Sequence, residues 1–509
     1  MIAEGQLTKI HVVGVAGTGM GALAGLLVEL GHQVSGSDVA FDPPIGPALQ
    51  EWGVTTRTGF DAAHLEPAPD LVVIGNVCRP TNPEARAAID GGLPYTHIAG
   101  ALDRFVLEGT SPLVVAGTHG KTTTSSLAAW LLEGSGFSPG FLIGGLPKNF
   151  ARGFRAPRRA VERRLPSGDK PLRRPPFVLE GDEYDTAFFE KTAKFLHYRA
   201  EVVILTSIEH DHIDIYPTLD SYLNAFEKLL GRLPQNGLLV ANAADRSIRE
   251  LVDKALGDDP RVAWYALEGD DTGGKPPHWL AAPASFAADG TTFDLFAGGV
   301  LAGRYVLPLP GRHNLQNAVA ALAAAAQGYG AKLKDLGLAL ARFEGVKRRQ
   351  DLIGVPRGIA VYDDFAHHPT AVRETLRALR QRHPAGKLLA VFEPRSATAC
   401  RNLHQSEYAE CWDDADAVLF APLGRDNLPP AERLDLDVVV EALGRRAPRL
   451  LALRLSSVDA IVAELCERAA PGDTIALLSN GAFGDIYTKL VTRLAPPMLD
   501  RAPSGADRT

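Results

Sequence analysis

The sequence predicts an α/β protein with more than one domain, each built on a largely parallel sheet covered by helices. Short β-branched apolar runs alternate with longer helical patterns along almost the whole chain, as in parallel sheets with helices on both faces. Glycine-rich turns follow some of these runs and open the next helix. At about 150 residues per domain, a chain of 509 residues corresponds to about three domains.

The composition excludes several classes of protein. Hydrophobic residues make up 46% and charged residues 22%, which are ordinary values for globular domains. The 53 basic and 60 acidic residues leave a net charge of −7, so no overall positive field exists to bind nucleic acid. The four cysteines are scattered without a C-x-x-C pair, which fits a reducing compartment and gives no zinc site.

Neither a membrane span nor a secretory signal is predicted. No stretch approaches 18 uninterrupted apolar residues, and the opening MIAEGQLTKIHVVGV lacks a basic start and a cleavage site. We therefore expect a cytoplasmic protein that does not bind to a membrane.

The predicted strands are short apolar runs. They are KIHVVGV (9–15), LVVIGN (71–76), LVVAG (113–117), FVLEGD (177–182), VVILTS (202–207), KLLAVFE (387–393), AVLFAP (417–422) and TIALLS (474–479). Residues 266–300 predict an antiparallel excursion, with Asp289-Gly290 as its hairpin turn.

Breaks in these patterns give the domain boundaries. The helix-like ALDRFVLE gives way to GTSP after residue 108, and YVLPLPGRHN places two prolines before an alanine-rich helix near residue 310. The predicted domains are 1–108, 109–310 and 311–509. Residues 152–176 are rich in Arg and Pro without apolar periodicity, which favours a solvated or disordered insertion over a docking site for an anionic partner.

The strongest local motif is GTHGKTTT, which follows the strand at 113–117 and opens a helix. Backbone N–H groups of such a loop wrap a phosphate, a lysine reaches the terminal phosphate oxygens, and a hydroxyl can bind Mg²⁺. The spacing is shorter than in a general P-loop, because only Thr118 and His119 separate the first glycine from Gly120-Lys121. The motif predicts an ATP site formed by Gly117, Thr118, His119, Gly120, Lys121 and Thr122.

A second glycine loop, GVAGTGMGALAG, lies between the first strand and a helix. Its glycines suit a pyrophosphate at a helix N-terminus, and Ser37-Asp38, about twenty residues later, suit a ribose or uracil. The spacing G-x-x-G-x-G is not the strict dinucleotide fingerprint, so a nucleoside diphosphate is favoured over a nicotinamide cofactor or a purely structural turn. The candidate residues are Gly14, Ala16, Gly17, Thr18, Gly19, Met20, Ser37 and Asp38.

Two acidic clusters follow strands of the central segment. EGDEYD (180–185) comes directly after one strand and IEHDHID (208–214) after the next. If both strands run parallel to the strand before the ATP loop, the clusters meet at one edge of the sheet. Mg²⁺ prefers oxygen ligands beside phosphates and water, so Thr122 and Glu183, with His212 as a less usual addition, are the predicted metal ligands.

The last segment supplies further polar motifs. GRHNLQN offers His313, Asn314 and Asn317 to an adenine edge, and FEGVKRR offers Arg348 and Arg349 to phosphate. YDDFAHHP, which contains Asp364, follows.

The order of these motifs resembles the Mur ligase family over nearly the whole chain. The resemblance implies a Rossmann-like domain for a UDP-sugar, a central P-loop-type ATPase domain with a mostly parallel sheet, and a C-terminal Rossmann-like domain for an amino acid or peptide. It also implies amide-bond synthesis driven by ATP in peptidoglycan metabolism. Lys121, Glu183, His212 and Arg348 are the implied catalytic residues, and Arg348 and Asp364 join the implied ATP site.

Four segments resemble the branch of the family that joins a recovered murein tripeptide to UDP-N-acetylmuramate. They are VLEGDEYDTAFFEKTAKFLHY (178–198), IGGLPKNF (143–150), FEPRSATACRNL (392–403) and LLSNGAFGDI (477–486). The alternative is the sister enzyme that adds free L-alanine, which typically has E-A-D-E-S-D, F-x-P-H and G-A-G-x-I at these places. This chain has Tyr184, Arg395 and Asn480-Gly481 instead.

Two finer assignments remain open at this stage. Arg395 and Ser396 are candidates for reading diaminopimelate, since a planar guanidinium suits a carboxylate. Some relatives carry a carbamylated lysine near the second acidic cluster, and Lys228 lies in that neighbourhood without a secure alignment. Two other classes stay in view, a nicotinamide oxidoreductase and a non-catalytic ATP switch, but neither accounts for all the motifs.

Overall fold

The computed structural model describes residues 7–158, 174–425 and 427–495. Most of the basic insertion predicted at 152–176 lies outside the described residues. The chain divides into two compact units, Met1–Lys347 and Arg348–Thr509. Among the described residues, no helix combines the length and apolar character needed to cross a membrane.

The first sheet of the larger unit is entirely parallel, with strand order β3-β2-β1-β4-β5. Its strands are β1 Lys9–Val13, β2 Gln33–Asp38, β3 Thr55–Thr58, β4 Leu71–Ile74 and β5 Tyr95–Thr96. The helices are α1 Thr18–Glu29, α2 Ile45–Glu51, α3 Pro83–Asp90 and α4 Ile98–Leu102. Strand β1 lies between β2 and β4, so the strand order reverses there, and the first glycine loop follows β1 at this switch point.

The second sheet has ten strands in the order β17-β16-β15-β14-β13-β12-β6-β9-β7-β8. Its strands are β6 Ser111–Ala116, β7 Gly140–Leu142, β8 Phe154–Arg155, β9 Pro176–Gly181, β12 Val202–Leu205, β13 Leu238–Asn242, β14 Val262–Leu267, β15 Trp279–Ala287, β16 Gly290–Ala297 and β17 Val300–Leu307. A separate antiparallel hairpin, β10 Asp185–Ala187 with β11 Glu190–Ala193, follows β9. The helices of this part are α5 Lys121–Gly134, α6 Leu219–Leu230, α7 Arg246–Ala255, α8 Arg312–Ala323 and α9 Leu333–Leu340.

Strands β9 and β12 flank β6, and both pair with it in parallel. Every residue of β6 is buried, since helices cover both faces of this part of the sheet. The prediction that the two acidic clusters and the ATP loop leave the same edge of one sheet is therefore confirmed.

The antiparallel excursion is also present, but its turn lies one residue earlier than predicted. Ala287 pairs with Gly290, so Ala288 and Asp289 form the turn. Gly290 has φ +146°, and a Cβ there would lie 2.3 Å from the carbonyl oxygen of Leu307. Glycine is therefore required here because β17 lies so close to β16, and not because Gly290 forms the turn.

Helices α8 and α9 belong to the larger unit, whereas the second boundary was expected after residue 310. The apolar side of α8, including Leu315, Val319 and Leu322, is fully buried in the core of the ten-stranded sheet. The prolines before α8 lie in a turn. Because α8 is buried in this core, the larger unit extends to Lys347.

The smaller unit contains a six-stranded sheet with order β18-β19-β23-β20-β21-β22, in which only the β18–β19 pair is antiparallel. Its strands are β18 Asp351–Gly354, β19 Ala360–Asp364, β20 Leu388–Phe392, β21 Ala417–Phe420, β22 Leu451–Arg454 and β23 Thr474–Leu478. The helices are α10 Pro369–Arg382, α11 Leu436–Arg446, α12 Val458–Arg468 and α13 Ile486–Leu494. All eight strands predicted from the apolar runs are present.

Candidate active site

The loop after β6 is held against the loop after β12. Gly117 has φ +130° and Gly120 has φ +79°, and α5 begins at Lys121. The backbone N–H of Thr118 donates to the carbonyl of Ser207 over 2.8 Å. A Cβ on Gly117 would lie 2.4 Å from Thr206 Oγ1 and 2.7 Å from the Ser207 carbonyl oxygen, so only glycine fits.

We expect Gly117→Ala to lower ATP affinity at least tenfold and to destabilise the protein by roughly 1–3 kcal/mol, because the methyl group meets backbone and the φ value is strained. Isothermal titration with ATP and thermal unfolding measure the two effects. Gly257→Ala is the matched control, since Gly257 also has a positive φ (+62°) but nothing lies within 4 Å of the place that a Cβ would take there. Equal ATP affinity in the two variants would contradict the expectation.

Lys121 lies between the loop and the first acidic cluster. Its Nζ donates to the carbonyl of Gly117 over 2.5 Å and to the carboxylate of Glu183 over 3.0 Å. Burial lowers the pKa of this lysine, but the charges of Glu183 and neighbouring carboxylates outweigh burial and raise it overall. Lys121 is therefore a cation at neutral pH.

Glu183 is fully buried at the centre of the cluster. Its carboxylate contacts Lys121, the Nε2 atom of His212 at 2.9 Å and the hydroxyl of Tyr222 at 3.1 Å. Burial raises the pKa of Glu183, but the two cationic partners outweigh it and lower the pKa overall. The site thus holds a buried, compensated negative charge.

His212 has an unusual backbone for a non-glycine residue, with φ +54°. Burial lowers its pKa, but the hydrogen bond to Glu183 raises it overall. The ring lies 4.2 Å from the ring of Tyr184, centroid to centroid. Strain of this kind costs about 1–3 kcal/mol and is concentrated at functional sites.

Thr122 lies beside a second carboxylate. Its hydroxyl donates to Glu180 Oε2 over 3.2 Å, and the other oxygen of Glu180 accepts from the backbone N–H of Gly144 over 2.8 Å. Sequence reasoning quoted Glu180 within its cluster but did not select it. The hydroxyl and carboxylate oxygens here are ligands that suit Mg²⁺ beside phosphate oxygens, and the imidazole of His212 is a less usual addition.

Helix α8 brings one of the adenine candidates to the loop. A Cβ on Gly120 would lie 2.5 Å from Asn317 Oδ1, so the Asn317 side chain lies directly against the loop. Asn314 is buried, and its Nδ2 donates to the carbonyl of Pro310 over 2.7 Å. His313 is half-buried in the first turn of the same helix.

The first glycine loop is fastened to the end of β2. The backbone N–H of Gly14 donates to the Ser37 carbonyl over 2.9 Å, and the N–H of Ala16 donates to Asp38 Oδ2 over 2.9 Å. The Ser37 side chain is fully buried and donates to Glu84. Ser37 and Asp38 thus hold the loop through these contacts. Helix α1 begins directly after Gly17, and its first residues include Thr18, Gly19 and the buried Met20.

Glu84 is a buried carboxylate that sequence reasoning missed. It accepts hydrogen bonds from Ser37 and from the backbone N–H of Asp61, and it contacts ring nitrogens of His11 at 3.2 Å and His64 at 2.6 Å. Burial raises its pKa, but these hydrogen bonds outweigh burial and lower it overall. The only sequence signal is the helix start Asn82-Pro83-Glu84, which reads as an ordinary N-cap.

Arg348 and Asp364 lie in the smaller unit, where both are engaged within the fold. Arg348 Nε donates to Asp363 Oδ2 over 3.1 Å, and its Nη2 donates to the carbonyls of Ser479 and Gly481 over 2.8 Å each. Asp364 is buried and accepts from the backbone N–H of Gln350 over 2.7 Å. Arg349 lies over the ring of Phe365.

We expect Asp363 to give the smaller unit a pH-dependent stability. Burial raises its pKa to about 6, although the charge of Arg348 acts in the opposite direction. The folded state holds this proton more tightly than the unfolded chain, whose Asp pKa is about 3.9, so the free energy of unfolding falls as pH rises from about 4 to about 6. The contribution is on the order of 3 kcal/mol, because each pKa unit corresponds to about 1.4 kcal/mol.

Urea unfolding followed between pH 4 and 7 measures this effect. Asp363→Asn should remove that part of the pH dependence and be more stable relative to the parent protein at pH 7 than at pH 4. Asp459→Asn is the control, because Asp459 is largely exposed in its pair with Lys489. An unchanged slope in Asp363→Asn would show that Asp363 is not the titrating group.

Arg395 lies at the carboxyl end of β20 in a slot made by two glycines. A Cβ on Gly424 would lie 2.9 Å from Arg395 Cγ, and one on Gly481 would lie 2.1 Å from Arg395 Cδ. The Ser396 hydroxyl oxygen accepts from the backbone N–H of Ala399 over 3.0 Å. Lys228 is exposed in the last turn of α6.

A glycine loop with its lysine beside a buried carboxylate is typical of enzymes that use a nucleoside triphosphate. Three family models match the chain: "Mur ligase family, catalytic domain" over residues 9–109, "Mur ligase middle domain" over 115–325 and "Mur ligase, glutamate ligase domain" over 348–481. The chain belongs to the Mur ligase family. The predicted family and three-part α/β fold class are confirmed, and the enzyme is a carbon–nitrogen ligase for which ATP is a substrate.

Three relatives illustrate the match. UDP-N-acetylmuramate–L-alanyl-γ-D-glutamyl-meso-2,6-diaminoheptandioate ligase of Escherichia coli is 37% identical over 488 residues, which is 96% of this chain and 98% of the relative. A solved murein peptide ligase from Psychrobacter arcticus has a TM-score of 0.69 and 35% identity, covering 96% of this chain and 98% of the other. UDP-N-acetylmuramate–L-alanine ligase of Paenarthrobacter aurescens is 34% identical and covers 95% of this chain and 97% of its own.

Proposed function

We propose that this enzyme uses ATP to join the murein tripeptide L-Ala-γ-D-Glu-meso-diaminopimelate to UDP-N-acetylmuramate, in peptidoglycan recycling. The observation that carries the choice of substrate is the 37% identity, over nearly the full length of both chains, to a relative named for that reaction. The match to a ligase named for free L-alanine is lower, at 34%. Both nucleotide substrates are products of cytoplasmic metabolism, so we place the reaction in the cytoplasm.

The chemistry requires activation, because a carboxylate is a poor electrophile and has no good leaving group. The lactyl carboxylate of the sugar attacks the γ-phosphorus of ATP, ADP leaves, and an acyl phosphate forms. The α-amine of the tripeptide then attacks the acyl carbon. Phosphate leaves with the bonding electrons, the nitrogen loses a proton, and the amide remains.

The residues around the ATP loop fit the first step. The loop leads into the N-terminus of α5, whose first-turn backbone N–H groups and helix dipole favour a phosphate, and Lys121 supplies a cation within that loop. Charge stabilisation and positioning are the main contributions of a protein to phosphoryl transfer.

A magnesium ion fits the donor set of this pocket. We propose that Thr122, Glu183 and His212 hold it, and when bound it neutralises charge on the phosphate oxygens. Adenine is assigned to His313, Asn314 and Asn317.

The substrate sites are assigned to the two outer parts of the chain. The loop from Gly14 to Met20, supported by Ser37 and Asp38, takes the uridine diphosphate. Arg395 and Ser396 are assigned to the peptide, because a planar guanidinium suits a carboxylate and the Arg395 side chain is exposed. Its Nη1 lies 3.5 Å from Glu393 Oε1.

Phosphate release tests this function. The purified enzyme is given Mg·ATP and UDP-N-acetylmuramate with either the tripeptide or free L-alanine. A strong preference for the tripeptide is the expected result. A preference for L-alanine would instead show that the enzyme is the biosynthetic UDP-N-acetylmuramate–L-alanine ligase. The proposed use of ATP would be unchanged.

A further inference from the structure

Tyr222 joins the ATP loop to the buried carboxylate at the centre of the cluster. It lies on α6 and is fully buried, and its hydroxyl oxygen is 3.0 Å from Thr118 Oγ1 and 3.1 Å from Glu183 Oε1. The ring packs edge-on against Tyr216 and Phe226, with centroids 5.3 Å and 5.1 Å away. This packing fixes where the hydroxyl points.

The direction of the hydrogen bonds follows from the groups involved. Ionised Glu183 can only accept, so the phenolic proton of Tyr222 points to it. Thr118 Oγ1 accepts from the backbone N–H of Glu209 over 2.9 Å. Two acceptors lie within reach of its own proton, the Glu209 carbonyl oxygen at 2.9 Å and the Tyr222 hydroxyl oxygen at 3.0 Å. The contacts therefore link three loops, those that follow β12, β6 and β9, and end on Glu183.

This link differs from the other contacts of Glu183. In the proposed reaction Lys121 must turn toward phosphate oxygens, which weakens its ion pair with Glu183. The Tyr222 hydrogen bond needs no such change, because its donor lies on α6 and its ring is enclosed on the core side. Tyr216 adds a second anchor, since its hydroxyl donates to the backbone carbonyl of Glu183 over 2.6 Å.

We propose that Tyr222 is a positioning residue that fixes the Glu183 carboxylate relative to the ATP loop, so that magnesium and nucleotide bind to a preformed pocket. This inference rests on the proposed function. The sequence gives no sign of it, because Tyr222 occupies an ordinary core position of an amphipathic helix.

The test compares Tyr222→Phe with Tyr329→Phe. Each change removes one buried phenolic hydroxyl from the same compact unit and keeps the ring. Tyr329 donates to the carbonyl of Ser111 over 3.0 Å, at the start of β6 and therefore at the opposite edge of the sheet. The measurement is calorimetric binding of the non-hydrolysable analogue AMPPNP at a series of Mg²⁺ concentrations, with thermal unfolding recorded for every variant.

Tyr222→Phe should weaken Mg·AMPPNP binding about tenfold and shift its Mg²⁺ dependence to higher concentration, since a hydrogen bond to a charged group is lost. Tyr329→Phe should bind as the parent protein does, despite a similar fall in thermal midpoint. Equal binding by both variants would overturn the positioning role and leave the proposed function standing. Failure of the parent protein itself to bind Mg·AMPPNP would instead contradict the proposed function.

Discussion

Lys121→Ala should reduce turnover by about a hundredfold to a thousandfold, with the tripeptide and UDP-N-acetylmuramate both saturating. The change removes the cation that Nζ places inside the ATP loop, and a single preorganised charge or donor at a developing anion is worth about 10²–10³ in rate. It also leaves the buried Glu183 without one of its two cationic partners, so a fall in stability accompanies the loss of activity. ADP release in a coupled assay measures the rate, and thermal unfolding measures the stability.

Two further variants separate these effects. Lys121→Met keeps the apolar stem of the side chain and should be as inactive as the alanine variant. Lys254→Ala is the matched surface control, because Lys254 pairs with Glu227 at an exposed site and should leave turnover unchanged. Full activity of either Lys121 variant would remove the ATP loop from the mechanism.

Glu183→Gln should reduce turnover by about a hundredfold or more and raise the Mg²⁺ concentration needed for half-maximal rate. The glutamine has nearly the same shape and can still accept from Tyr222, but it lacks the negative charge. Lys121 and His212 then lose their common counter-charge in a buried place, and breaking a buried pair costs about 3–5 kcal/mol. Rates measured across a Mg²⁺ titration, together with chemical unfolding, record both effects.

Glu201→Gln provides the comparison. Glu201 precedes β12 at the opposite edge of the same sheet and accepts from the hydroxyl of Ser111 over 2.5 Å. Its substitution should leave the Mg²⁺ dependence unchanged. The assignment of Glu183 would be contradicted if both glutamine variants responded to Mg²⁺ as the parent enzyme does.

The sequence was sufficient for the fold class because strands buried on both faces leave a strong signal. LVVAG and VVILTS are continuous apolar runs, and their pairing as neighbouring parallel strands fixes where the following loops meet. Glu183 and His212 could therefore be selected together from positions far apart in the chain. Parallel pairing places their loops at one edge of the sheet, where the structure shows the two side chains in contact at 2.9 Å.

Other features depend on packing that no local pattern encodes. Ser37 suited a nucleotide contact by position, yet its hydroxyl is buried against Glu84, whose partners come from several separate segments. The prolines before α8 looked like a domain boundary, but the apolar face of that helix completes the core of the preceding sheet. The role of Tyr222 could not be predicted for the same reason, since an aromatic residue on the apolar face of a helix indicates only a core position.

Asn317 packs against Gly120, although the two residues are far apart in the chain and are synthesised at different times. The loop sequence leaves the ribosome almost 200 residues before the helix that lies against it. A nascent chain that ends before α8 therefore exposes the apolar surface that Leu315 and Val319 cover in the finished protein. The open face of the ten-stranded sheet is therefore covered only after α8 has been synthesised.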